Sequence, residues 1–174
     1  MLRLLLIRHA EAAAHAPGGD LARSLTARGV ADAARVGAYC RRASLIPDFA
    51  LVSPALRARD TLETILREIP QKSAWEIEDL LYGADIETLR EILERIPAPA
   101  KTLLIVGHNP GLVEFARFLV RNQKGSESLR QFPAPCLALI QFPCSEWIDA
   151  EAAGGRLDLL MNFSCVPAED LLSE

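Results

Sequence analysis

The chain has 174 residues, 50% of them apolar, enough for one hydrophobic core and too few for two ordinary domains. Its net charge of −4 gives no basic surface for nucleic acid, and it has no apolar run of about 18 residues to span a membrane. Four cysteines (Cys40, Cys136, Cys144, Cys165) form no C-x-x-C pair, and with only three histidines they argue against a zinc cluster. The opening "MLRLLLIRH" has too short an apolar stretch for a signal peptide, so reduced, mostly buried cysteines in a cytoplasmic protein are expected.

In chain order, residues 2–7 (LRLLLI) read as a strand running into Arg8 and His9. Residues 26–42 read as a helix capped by Thr26, with Val30, Ala33, Ala34, Gly37 and Cys40 on one face. "DFALVS" (48–53) is a short buried strand. The next helix is expected to begin with a Ser53 cap and Pro54 at its first position. Leu62, Ile65, Leu66 and Ile69 form its apolar stripe. Residues 74–77 (AWEI) read as a strand. Residues 85–96 read as an amphipathic helix with Asp85 as cap and Pro97 as its end.

Residues 102–106 read as a buried strand, followed by a helix with Asn109 as cap and Pro110 as first residue. Residues 122–135 read as a loop, 136–142 and 156–163 as two late strands, and the acidic end from Pro167 as a surface tail. Alternating strands and helices followed by two strands predict one α/β domain over residues 1–174, with a largely parallel sheet.

In such a sheet, ligands bind beyond the carboxyl ends of the strands. Three strands here end in polar groups of one character: Arg8-His9, Ser53-Pro54 with Arg57 a turn on, and Gly107-His108-Asn109. A cation in the first turn of a helix is mildly unfavourable. An anion in front of that turn reverses the sign, because it accepts from both the helix N–H groups and the guanidinium. Two arginines and two histidines at one sheet edge therefore suit a dianion. Arg59 is the weaker neighbour of Arg57, and His15 reads as loop surface.

Arg8-His9-Ala10-Glu11, Ser53-Pro54-x-x-Arg57-Ala58-x-x-Thr61 and Gly107-His108-Asn109-Pro110 resemble the histidine phosphatase superfamily, with its phosphoglycerate-mutase-like fold. "DLARSLTARG" (20–29) is similar to a segment of the small SixA-type phosphohistidine phosphatase branch. The resemblance covers about residues 2–120 in order. It implies a three-layer α/β/α sandwich, a mostly parallel sheet of about six strands with one antiparallel, and no cofactor or metal. Ala10 departs from the family's usual Arg-His-Gly, and a small shift of the site is expected there.

By the same resemblance His9 is the nucleophile, and Arg8, Arg57 and His108 bind and neutralise the phosphoryl group. Glu78, Asp79 and Asp85 follow the third strand, where relatives acting on alkyl phosphates place a proton donor, and no spacing selects one of them. The implied function is a phosphatase working through a phosphohistidine intermediate on a phosphohistidine protein. General phosphomonoesterase activity on small molecules and a non-catalytic phosphate-binding module are the alternatives, and a metal hydrolase ranks last. No nucleic-acid or membrane partner is expected. A monomer is the working expectation.

Overall fold

A computed structural model of the chain describes residues 1–123, 129 and 131–165. Part of the expected 122–135 loop and the whole acidic tail lie outside the described residues.

Six strands form one sheet: β1 (Leu2–Arg8), β2 (Phe49–Val52), β3 (Ala74–Ile77), β4 (Thr102–Gly107), β5 (Cys136–Phe142) and β6 (Arg156–Asn162). Their order is β3-β2-β4-β1-β5-β6. The pairs β1–β4, β4–β2 and β2–β3 are parallel, while β5 runs antiparallel to both β1 and β6. The helices are α1 (Ala27–Arg42), α2 (Leu56–Arg67), α3 (Ile86–Glu94), α4 (Gly111–Leu119) and the short α5 (Ala150–Ala153).

The central strands are apolar throughout because both of their faces are covered. Along β1 and β4, Leu4, Leu6, Leu103 and Ile105 meet Leu89 and Ile92 of α3 and Leu112 and Phe115 of α4. The alternate residues Leu5, Ile7, Leu104 and Val106 meet Val36 and Cys40 of α1 and Leu62 and Ile65 of α2. Each such fully buried Leu or Ile contributes about 1.5–3 kcal/mol. The result is the three-layer α/β/α sandwich, with β5 as the antiparallel strand against β1.

Local expectations hold where chemistry is local. Thr26 caps α1 by accepting from the Gly29 amide at 3.0 Å, and Asp85 caps α3 by accepting from Thr88 at 2.9 Å. They fail where a tertiary partner competes. The helix expected from Ser53 starts at Leu56 with Ala55 as its cap residue, and the one expected from Asn109 starts at Gly111 with Pro110 in the cap position. In both cases the side chain named as cap is engaged elsewhere, as described below. Val30 is 45% exposed, because the buried stripe of α1 runs through Gly29, Ala33, Val36, Gly37 and Cys40. Cys40 and Cys136 are buried, Cys144 is half-buried and Cys165 is exposed, and all four are free thiols. Among the described residues no helix is long and apolar enough to cross a membrane, and no cluster of His, Cys, Asp or Glu could hold a metal ion.

Candidate active site

The parallel strands β1, β2 and β4 run in one direction, so their carboxyl ends share one edge of the sheet. His9 follows β1 directly, and its amide donates to the Gly107 carbonyl at the end of β4 at 3.1 Å. His108 follows Gly107. The His9 and His108 rings lie 5.0 Å apart, centre to centre. Arg57, on the first turn of α2, is only 4% exposed and reaches between them. Its Nε donates to His9 Nε2 at 3.1 Å, and its Nη2 lies 3.5 Å from His108 Nδ1.

These contacts assign the protons. His9 Nδ1 lies 2.7 Å from the Ala10 carbonyl oxygen, which can only accept, so Nδ1 carries the hydrogen. A guanidinium can only donate, so His9 Nε2 presents its lone pair to Arg57. The same logic gives His108 a lone pair on Nδ1 and a hydrogen on Nε2, donated to Ser53 Oγ at 2.7 Å. Ser53 is thus occupied as a partner of His108, which explains why it does not begin α2. Its oxygen also accepts from the Ala55 amide at 3.4 Å.

Burial pushes His9 down to about 4, helped by the nearby Arg57, Arg8 and Arg23 and opposed by the Ala10 carbonyl. Burial pushes His108 down to about 3, with His9, Arg57 and Arg8 adding to the effect. Both imidazoles are therefore neutral near pH 7. His108 becomes cationic only if an anion arrives to favour its charged form.

Arg8 stands at the last position of β1, and its Nη1 donates to the Phe132 carbonyl at 2.9 Å. Asn109 Nδ2 donates to that same oxygen at 2.8 Å, and its Oδ1, the atom a cap would use, is buried without a hydrogen-bond partner among the described residues. Ala10 is fully buried, and Ser44 is the described non-glycine residue with positive φ, so Ala10 sits in ordinary backbone space. Its amide donates to Thr61 Oγ1 at 3.0 Å, and the Thr61 hydroxyl donates to the Arg57 carbonyl at 2.7 Å. Thr61 therefore ties the residue after His9 to the helix that carries Arg57.

The three acids named as candidate proton donors have partners of their own. Glu78 accepts from the Leu80 amide at 3.1 Å and lies 3.8 Å from Arg95, Asp79 opens a 3₁₀ turn, and Asp85 caps α3. Among the described residues none of the three is hydrogen-bonded to His9, Arg57 or His108. Arg59 is half-buried, with its Nε buried and without a hydrogen-bond partner among the described residues, and His15 is exposed.

Instead a different acid enters. Asp20 lies in a 3₁₀ turn (Asp20–Ala22), and its carbonyl oxygen accepts from Arg57 Nη1 at 2.8 Å. Its carboxylate accepts from Arg57 Nη2 at 2.9 Å, from the Tyr82 hydroxyl at 2.6 Å and from Arg23 Nε at 2.9 Å. The Tyr82 ring meets the His108 ring edge-on at 5.5 Å. The loop carrying Asp20 is seated by Gly29, where a Cβ would come within 2.0 Å of the Glu11 carbonyl oxygen. Asp20 and Arg23 stand in "DLARSLTARG", so their spacing was visible in the sequence, but their place against Arg57 was not. Nothing local in the sequence marks Tyr82.

Residues 4–133 match the histidine phosphatase superfamily (branch 1). The uncharacterized protein Rv1276c of Mycobacterium tuberculosis is 30% identical over 151 residues, covering 83% of this chain and 92% of that protein. A Nakamurella multipartitia structure carrying the name phosphohistidine phosphatase SixA superposes with a TM-score of 0.82 at 29% identity, covering 92% of this chain and 95% of that one. The protein histidine phosphatase SixA complexed with tungstate gives a TM-score of 0.79 over 94% of this chain and 98% of its own, at 21% identity, a likeness of fold. The chain belongs to the histidine phosphatase superfamily, and its class is that of phosphatases.

Proposed function

We propose that the protein is a protein phosphohistidine phosphatase, with His9 as the nucleophile and Arg8, Arg57 and His108 as the phosphoryl-binding groups. The observation that carries this reading is the tautomer of His9. Nδ1–H is held by the Ala10 carbonyl, leaving an unprotonated Nε2 beside a buried guanidinium. Such a nitrogen is ready to attack at neutral pH.

In the first step His9 Nε2 forms a bond to phosphorus as the bond to the leaving nitrogen breaks. Arg57 exchanges its hydrogen bond to Nε2 for one to a phosphoryl oxygen. Arg8 and Arg57 offset the charge on the transferring group. His108 takes up a proton as the dianion enters and donates it in a hydrogen bond. Water then breaks the new P–N bond, releasing phosphate and restoring neutral His9. A phosphoimidazole protonated on its other ring nitrogen leaves as neutral imidazole and needs no acid from the enzyme. That suits a site in which, among the described residues, Glu78, Asp79 and Asp85 make no hydrogen bond to the histidines. Only residues 78–85 connect β3 to α3, a short crossing that suits a phosphorylated side chain on a protein more than an enclosed small molecule.

The test pairs a phosphohistidine protein with small phosphate esters, with His9→Ala as control. Turnover of the phosphohistidine protein, lost in His9→Ala and unchanged in chelator, is the expected result. Rapid quench with labelled substrate should trap an acid-labile, base-stable phosphoprotein. Label that persists in acid places the phosphoryl group on an oxygen, with Ser53 Oγ, 2.7 Å from His108 Nε2, the first candidate.

A further inference from the structure

Arg57 directs both terminal nitrogens at Asp20, one at its carbonyl and one at its carboxylate. The fork that would hold a phosphoryl group therefore carries a resident negative charge. The arrangement is lopsided in exposure: the Arg57 side chain is 5% exposed and the Asp20 side chain 48%. The carboxylate sits on the solvent side of a buried cation. Tyr82, Arg57 and Arg23 all donate to it, and the Tyr82 hydrogen bond leads in holding it far below the usual carboxylate range. It is ionised at any working pH and cannot serve as a proton donor.

A fixed carboxylate beside a phosphate cradle has two consequences. It repels a bare dianion sharing the same guanidinium. It also attracts a positive charge carried next to the phosphoryl group. A phosphate ester has no such charge. A phosphoimidazole protonated on its second nitrogen does, and keeps it until the P–N bond breaks.

We propose that Asp20 is a specificity-determining residue of this site, selecting phosphoryl groups carried on a cationic nitrogen over phosphate esters and over free phosphate. The proposal rests on the reading of His9, Arg8, Arg57 and His108 as a phosphoryl-transfer site and adds the discriminator to it. Arg8, Arg57 and Arg23 all act on the His9 ring electrostatically, and Asp20 sets a carboxylate against Arg57 and Arg23 among them. A role in merely holding Arg57 in place makes the opposite forecast, because a loosened Arg57 binds phosphate less well.

The experiment compares wild type with Asp20→Asn and Tyr82→Phe. Asparagine keeps the shape and the oxygen that accepts from Arg57 while removing the charge. Inhibition by inorganic phosphate is measured, together with kcat/KM for a phosphohistidine peptide and for p-nitrophenyl phosphate, an ester whose leaving group needs no proton. Asp20→Asn should bind inorganic phosphate about tenfold more tightly, the scale of one like-charge contact near a protein surface. Its preference for the phosphohistidine peptide over the ester should fall by a similar factor. Tyr82→Phe keeps the charge but loosens it, and should shift both readouts the same way by less. Equal or weaker phosphate binding in Asp20→Asn, or an unchanged preference, overturns the proposal. Failure of the underlying reading looks different: wild type turns over neither substrate, or His9→Ala retains turnover, and the proposal then falls with it.

Discussion

The strands β1 and β4 and the chain leading into and out of β2 finish the sheet at both ends, and the two ends are built differently. At the amino end, cations and amides meet oxygens. Arg3 Nε donates to Thr102 Oγ1 at 3.0 Å and its Nη1 to the Ser44 carbonyl at 3.2 Å. Asp48, just before β2, accepts from the Lys101 and Thr102 amides, both at 2.8 Å. At the carboxyl end, Arg57 faces two histidines, and Arg8 Nε is buried without a hydrogen-bond partner. One end is satisfied by the protein itself. The other gathers cationic and basic groups, and among the described residues Asp20 is the carboxylate hydrogen-bonded to Arg57. Substitutions should divide accordingly, between activity at the carboxyl end and stability at the amino end.

The largest effect is expected from Arg57→Ala. It removes the hydrogen-bond donor to His9 Nε2 and, on the proposed reading, a direct partner of the transferring phosphoryl group. Loss of a comparable transition-state contact costs about 2.7–4 kcal/mol, or about 10²–10³-fold in kcat/KM. Arg57→Lys keeps the charge but not the fork and should recover little of this loss. Steady-state kinetics on a phosphohistidine peptide decide it, and near-wild-type activity in Arg57→Ala would break the division between the ends.

Acid should expose the same asymmetry. His9 at about 4 and His108 at about 3 lie below the unperturbed value of about 6.5, so the unfolded chain binds more protons than the folded one between those limits. Stability is therefore flat above about pH 6.5 and falls as the pH drops through the window below it. The depressed Asp20 adds to the loss at the acid end of the range. Thermal unfolding midpoints from pH 7 to pH 4 should decline in wild type and decline less in His108→Asn. Parallel curves would mean that His108 is not held neutral by its surroundings.

How far the sequence reveals this follows from where each signal is local. Arg8, His9 and His108 end apolar runs, and Arg57 sits in the first turn of a helix, so strand-end logic and the motif resemblance single out all four, and the fold brings His9, Arg57 and His108 into contact. The helix starts at Ser53 and Asn109 mislead because both have cap chemistry, while Ser53 is claimed by His108 and Asn109 by the Phe132 carbonyl. Those partners are 55 and 23 residues away in sequence. Asp20 reaches Arg57 across 37 residues and Tyr82 across 62, distances at which spacing carries no information. The acids after β3 attract attention by position, yet Glu78 and Asp85 are engaged as caps of the turn and helix they precede. The sequence thus displays the floor of the site and hides its rim.

At the amino end, Asp48→Ala removes the acceptor of two backbone amides. Hydrogen bonds to a charged group are worth about 1.5–3 kcal/mol, and the exposure of Asp48 lets water replace part of them, so a loss of about 1.5 kcal/mol is expected. Denaturant midpoints should fall while kcat/KM stays at the wild-type value. A drop in activity at full occupancy of the folded state would show that the two ends are coupled through β2.

The smallest effect is expected from Arg3→Met, and it is the sharpest control because β1 carries both arginines. Methionine keeps most of the apolar stem packed while deleting the guanidinium. Thr102, only 1% exposed, loses the Arg3 donor to its hydroxyl, and the Ser44 carbonyl turns to water. The net loss should be about 0.5–1 kcal/mol, the range of an ordinary partly exposed hydrogen bond. Catalysis should not change, because Arg3 and Arg8 point their charges at opposite ends of one strand whose register is fixed by β4 and β5 on either side. If Arg3→Met instead lowers turnover as Arg57→Ala does, β1 has slipped against those neighbours, His9 has moved with it, and the amino end is as much a part of the site's geometry as the carboxyl end.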